Sequence, residues 1–182
     1  MSRYRRSHVP GATYFFTVVS YRRQVILCEP SIREALRAAI VSVRRRRPFT
    51  IDAWVLLPDH LHCIWTMPLG DMDYATRWGM IKRQVSVQCR EDYQRPEWIT
   101  ASKRKHREST IWQRRYWEHQ IRDDRDFARH VDYVHYNPVK HGLCHQAVDW
   151  PYSTFHRYMG RGIYSVDWGG AGDQAEFKSF GE

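Results

Sequence analysis

The sequence predicts an α+β domain of ferredoxin-like (RRM-like) type, an antiparallel sheet with helices packed on one face, followed by a tyrosine-bearing C-terminal helix. Three observations predict it. Short aromatic and β-branched runs alternate with stretches of helical periodicity in the order β-α-β-β-α-β, and one more helix follows. The 182 residues, 42% hydrophobic and 14% aromatic, have the length and apolar content of one globular domain that needs no staples. No stretch reaches the roughly 18 consecutive apolar residues of a membrane span, and Pro10-Gly11 follows the basic N-terminus where an export signal needs an apolar run.

The elements follow in order. Residues 13–20 (TYFFTVVS) read as a strand. Pro30-Ser31 opens a helix, with Ser31 and Glu34 spaced as a capping box and Leu36, Ala39, Ile40 and Val43 in helical register. It ends in the arginine run before Pro48. Residues 49–56 form a second strand, Pro58-Asp59 a tight turn, and residues 60–67 a third strand. Alternation sets His60, His62, Ile64 and Thr66 on one face and Leu61, Cys63, Trp65 and Met67 on the other. A helix is expected over about 74–89 through Trp78, Ile81, Val85 and Gln88. Residues 95–109 are polar, charged and aperiodic, and read as a basic loop able to order on DNA. Residues 111–121 give a fourth strand. Asp123 or Asp124 caps a helix running to about Val139, with Lys140 and Gly142 as its stop signals. A short helix after Trp150-Pro151 and a polar, Gly-rich tail close the chain. We place one domain over 1–168 and the tail over 169–182.

Charge narrows the function classes. Lys and Arg number 29 against 20 acids, a net charge of +9, and arginine's planar fork suits phosphate oxygens. The cations cluster at Arg3, Arg5 and Arg6, at Arg22 and Arg23, along Arg44 to Arg47, at Lys103, Arg104, Lys105 and Arg107, and at Arg114 and Arg115. Tyr4, Tyr21, Trp98, Trp112, Tyr116 and Trp117 run beside them. Backbone-tracking cations mixed with stacking rings suit single-stranded nucleic acid. The four cysteines form no Cys-x-x-Cys pair, which argues against structural zinc, and Cys63 reads as core filler.

Two constellations carry chemistry. His60 and His62, two apart on a strand, project side by side and can bind one ion. From His130 to Gly142 a helix sets Tyr133 and Asn137 on one face at i and i+4, with His130 one turn earlier and Val131 and Val134 toward the core. Tyr136, on another face, is the rival nucleophile. A tyrosine hydroxyl, with a reference pKa of about 10, needs a base or a nearby cation to attack a phosphate, and a divalent ion can offset charge in an in-line displacement. The alternative is a non-catalytic nucleic-acid-binding protein with an RRM-like sheet, which the basic clusters fit equally well.

Leu56-Leu-Pro-Asp-His-Leu-His-Cys-Ile-Trp65, with His60-Leu61-His62 as an HUH triplet, resembles the single-tyrosine HUH transposases of the IS200/IS605-like superfamily. Tyr133-Val-His-Tyr-Asn-Pro-Val-Lys-His-Gly142 resembles their tyrosine helix. Other segments resemble, more narrowly, the REP-associated tyrosine transposases: Tyr4-Arg-Arg6, Gly11-Ala-Thr-Tyr-Phe-Phe-Thr17, Arg47-Pro-Phe49, Trp112-Gln-Arg-Arg-Tyr-Trp-Glu-His119 and Asp149-Trp-Pro-Tyr-Ser-Thr-Phe-His156. The resemblance implies cutting of single-stranded DNA near a palindromic REP hairpin, with Tyr133 forming a 5′-phosphotyrosine. It implies Mg²⁺ or Mn²⁺ on His60 and His62 with Asn137 as third ligand; Glu118 and His119 are the alternatives, since a carboxylate suits Mg²⁺ better. From charge we expect Arg3, Arg5, Arg6, Lys103, Arg104, Lys105, Arg107, Arg114 and Arg115 to contact the DNA. A monomer or homodimer in the bacterial cytoplasm, associated with the nucleoid, completes the expectation.

Overall fold

The computed structural model describes residues 9–170. Arg3, Arg5, Arg6, the Tyr4-Arg-Arg6 segment and most of the expected tail lie outside the described residues. The chain runs through β1 (Thr13–Val19), α1 (Pro30–Arg46), β2 (Thr50–Leu56), β3 (His60–Thr66), α2 (Tyr74–Gln88), α3 (Arg90–Tyr93), α4 (Ala101–Lys105), β4 (Trp117–Gln120), α5 (Asp124–Lys140) and α6 (Phe155–Met159). The strands form one sheet in the order β2-β3-β1-β4 with every neighbour antiparallel, which is the ferredoxin-like order expected.

Period-2 alternation gives the central strands two apolar faces. Tyr14, Phe16, Val18, Leu61, Cys63 and Trp65 point to α1 and α2, where they meet Leu36, Ala39, Val43, Trp78, Ile81 and Val85. Trp65 and Trp78 stack there at 4.2 Å. Phe15, Ala53, Val55 and Ile64 point the other way, onto Val131, Tyr133 and Val134 of α5. The first two long helices thus share one face as expected, and the tyrosine helix occupies the opposite one.

Several local expectations change. Glu29, not Ser31, is the N-cap of α1, with Pro30 at the first helical position; Ser31 lies inside the first turn and bonds the Tyr93 hydroxyl at 3.0 Å. In α2, Gln88 is exposed and Cys89 takes the buried place. The fourth strand is four residues long. Upstream of it Trp112 makes only an isolated bridge with Ser20, and the Gln113 carbonyl accepts from Lys82 Nζ at 2.9 Å instead of joining a ladder. The stretch read as a basic loop contains α4, whose first turn is capped by Thr100 Oγ1 accepting from Lys103 N.

α5 is well bounded. Asp123 Oδ1 accepts from Asp126 N at 2.8 Å at its start. At its end Gly142, with φ +67°, lets Leu143 N reach the Pro138 carbonyl and Gly142 N reach the Val139 carbonyl, both at 2.9 Å. Pro138 has no N–H for the carbonyl four residues back, a loss tolerated because the helix stops two residues later. The segment after α5 straps it down. Tyr164 Oη donates to Asp132 at 2.6 Å, His135 Nε2 lies 2.9 Å from Thr154 Oγ1, and Trp150 Nε1 donates to the Leu56 carbonyl at 2.9 Å. Backbone bonds from Leu56 N to the Tyr152 carbonyl and from Thr154 N to the Trp54 carbonyl also cover the β2 edge. All four cysteines are free, with Cys63 fully buried, and no helix among the described residues is long and apolar enough to cross a membrane.

Candidate active site

The Pro58-Asp59 turn fixes where β3 begins. Leu57 N donates to the His60 carbonyl and Ser20 N to the Asp59 carbonyl, so the turn is tied both to its own hairpin and to the end of β1. His60 and His62 then project from the α5 face with ring centroids 4.9 Å apart, both buried. Each is oriented through Nδ1: His60 by Asp59 Oδ1 at 2.6 Å, His62 by Thr17 Oγ1 at 2.9 Å. Burial pushes the Asp59 carboxyl up, but the hydrogen bond and charge of His60, helped by the Arg23 guanidinium at 3.0 Å, outweigh it and hold the pKa at about 2. His60 thus turns Nδ1 to a carboxylate, and its Nε2 is buried without a hydrogen-bond partner.

α5 brings the second half from the same chain. The Tyr133 ring lies edge-on to His62 at 5.3 Å and to Phe15 at 5.9 Å. One turn on, Asn137 is fully buried and neither its Oδ1 nor its Nδ2 has a hydrogen-bond partner. An unsatisfied buried polar group costs about 1–3 kcal/mol, and this amide lies on the α5 stripe between Tyr133, whose ring meets His62, and His141, whose ring meets His60. His60, His62 and Asn137 together offer two ring nitrogens and an amide oxygen, a donor set that fits a divalent ion. Two further residues of the same helical stripe complete the surroundings. Lys140 Nζ donates to the Tyr133 hydroxyl at 3.4 Å, and the His141 ring sits 5.1 Å from His60.

The alternative ligands separate from this site. Glu118 pairs in register with Phe16, whose side chain belongs to the α1/α2 face, so Glu118 points to the wrong side of the sheet. His119 shares the α5 face but pairs with Phe15, one side-chain row and two strands from His62; it hydrogen-bonds Asp126 at 2.9 Å instead. The rival nucleophile Tyr136 packs with Val139, Ala147 and Phe155 in a separate cluster behind the helix.

A family model described as "Transposase IS200 like" matches residues 10–137, from before β1 to Asn137. The chain belongs to the IS200-like transposases. Within them it is 46% identical to the REP-associated tyrosine transposase of Escherichia coli strain K12 over 179 residues, covering 98% of this chain and 96% of that protein. A solved structure described as the REP-associated tyrosine transposase bound to a REP hairpin aligns with TM-score 0.79 and 44% identity, covering 99% of this chain and 98% of that one. The protein is therefore a tyrosine transposase, and the match carries the ferredoxin-like fold with it.

The expected basic residues divide. Arg104, Lys105, Arg107 and Arg115 are exposed, and Arg114 is exposed while paired with Glu108 at 3.2 Å. Lys103 differs from them: it is 6% exposed, its Nζ donates to the Ser109 carbonyl and lies 3.7 Å over the Tyr21 ring, so its charge anchors α4 from within. Trp112 and Tyr116, expected as stacking platforms, join the α1/α2 core. Trp98 and Tyr21 instead form a surface pair that carries the Arg22 guanidinium, at 4.9 and 5.7 Å.

Proposed function

We propose that the protein nicks and rejoins single-stranded DNA beside a palindromic hairpin of REP type, with Tyr133 as nucleophile and a 5′-phosphotyrosine intermediate. The observation that carries this reading is the placement of the Tyr133 ring on His62, with Lys140 at its hydroxyl and Asn137 one turn on. The solved relative described as bound to a REP hairpin supports the substrate class.

Tyr133 Oη attacks the scissile phosphorus, the bond to the 3′-oxygen breaks, and the phenol proton ends on that oxygen as a free 3′-hydroxyl. The phosphodiester energy is kept in the tyrosyl bond, so a later 3′-hydroxyl reverses the step and rejoins a strand. Lys140 supplies a cation where negative charge develops on Oη. Asp59 and Thr17 lock the two imidazoles, and Phe15 walls the nucleophile's ring. His60, His62 and Asn137 would hold Mg²⁺ or Mn²⁺, which when bound polarises the phosphate oxygens. Arg104, Lys105, Arg107, Arg114 and Arg115 would contact DNA phosphates, positioning the hairpin while bases near the cut specify it. Nucleophile and imidazoles lie within one chain, so a monomer can carry the whole site, and a homodimer that exchanges the helix is the alternative assembly. A chromosomal substrate would place the enzyme in the cytoplasm, at the nucleoid.

The test is cleavage of single-stranded hairpins with flanking tetranucleotides, read on denaturing gels with Mg²⁺ or Mn²⁺. The wild type yields a nick and a protein–DNA adduct; Tyr133→Phe yields neither while still binding the hairpin, and His60→Ala loses the metal-dependent cut. Adduct formation by Tyr133→Phe would move the nucleophile elsewhere. Hairpin binding that ignores EDTA, with no cleavage of any substrate, would reduce the protein to a binding module.

A further inference from the structure

We propose that His119, Asp126 and His130 form a second divalent-metal site, suited to a transition ion such as Zn²⁺, Co²⁺ or Mn²⁺ and distinct from the His60/His62 pair. One donor atom from each lies within 4.8 Å of the others. The carboxylate already spans the two imidazoles, with His119 Nε2 2.9 Å from Oδ2 and His130 Nδ1 3.1 Å from Oδ1, and His130 Nδ1 also donates to the Asp126 backbone carbonyl at 2.8 Å, a proton that an ion would displace. Ligands held at about 2.1 Å from one ion are roughly 3.0 Å apart in an octahedron and about 3.4 Å apart in a tetrahedron. Both carboxylate–imidazole separations are hydrogen-bond lengths that match those edges, so an ion would take the place of the shared protons without moving the side chains far.

Three independent constraints build the cluster. β4 pairing sets His119 opposite Phe15 on the α5 face. The Asp123 cap fixes the first turn of α5, and Asp126 Oδ2 also accepts from Arg122 N at 3.1 Å. The i,i+4 spacing then brings His130 over Asp126, and its ring stacks on His119 at 4.7 Å. His119 and Asp126 keep 21% and 20% of their side chains exposed, so an ion can enter from solvent and water can fill its open positions.

The cluster is separate from the transposase site. Two strand spacings of about 4.8 Å and one row of about 7 Å put His119 roughly 12 Å from His62 between Cα atoms. Phe15 fills the gap, with its ring 5.4 Å from His62 and 5.0 Å from His130. Two nitrogens and one carboxylate favour a borderline transition ion over Mg²⁺ or Ca²⁺, which take oxygen donors. An ion there clips β4 to the turns of α5 immediately before Tyr133, a positioning role that does not depend on what the first site holds.

Co²⁺ titration of the EDTA-stripped full chain, by visible absorption and equilibrium dialysis, tests the site. His60→Ala/His62→Ala is expected to retain one bound equivalent. Adding His119→Gln, or separately Asp126→Asn, should weaken that equivalent at least tenfold, with circular dichroism verifying the fold. Should Asp126→Asn fail to fold, His119→Gln decides alone. The proposal is overturned if the double variant binds no Co²⁺, or if the remaining equivalent keeps its affinity in His119→Gln; the three residues would then be only a hydrogen-bond network joining β4 to α5.

Discussion

The two faces of the sheet use the same strands to different ends. Toward α1 and α2 the strands present aromatic and aliphatic side chains that close on Trp78, Ile81 and Val85. Toward α5 they present His60 and His62, and the helix answers with His130, Tyr133 and Asn137, all buried. The first face is a store of stability. The second gives up some of that stability to hold polar groups in place, most plainly the unsatisfied amide of Asn137. Burial alone does not distinguish the faces; the bonding of what is buried does.

Substitutions can break this contrast at either face. The largest stability effect is expected at Trp65, stacked on Trp78 and packed on Phe49. Trp65→Ala should cost about 3–5 kcal/mol in urea unfolding, while nicking by the molecules that remain folded is unchanged. Asn137→Leu should behave in the opposite way. Cleavage falls by about 100-fold, yet the unfolding free energy in EDTA stays level or rises by about 1–3 kcal/mol as the orphaned amide disappears. A clear loss of stability in that variant would mean that the amide is a structural group.

A further effect concerns pH. Burial, and then the Arg157 charge, hold the His135 pKa at about 3, well below its ordinary value of about 6.5. Between those values the unfolded chain takes up a proton that the folded chain refuses, so stability falls as pH drops through that window and the loss levels off below it. Urea unfolding from pH 7 to pH 4 should show the decline, and His135→Gln, which keeps a donor for Thr154 and Tyr164, should flatten it. An unchanged slope would mean that other groups set the acid sensitivity.

Much of the candidate site was legible in the sequence because it sits on two short regular elements. Alternation set His60 and His62 on one face, and helical spacing joined Tyr133 to Asn137. What depends on pairing between distant strands was not legible. Thr17 reaches His62 only through the β1–β3 register, and the same register decides that Glu118 faces away and that His119 lies a row too far. Lys140 was visible but read as a helix-stop signal, although its spacing of seven from Tyr133 places it on the same stripe. Lys103 shows the limit of charge clustering: a cation counted toward DNA is the buried residue of α4, held by the Ser109 carbonyl and the Tyr21 ring.

The central claim is that Tyr133 carries the DNA. The most direct measurement is peptide mass spectrometry of the protease-digested adduct formed on a single-stranded hairpin substrate. The account predicts a 5′-phosphonucleotide on Tyr133 in the peptide that contains Asn137 and Lys140. The modification on Tyr136, Tyr116 or any other residue would contradict it.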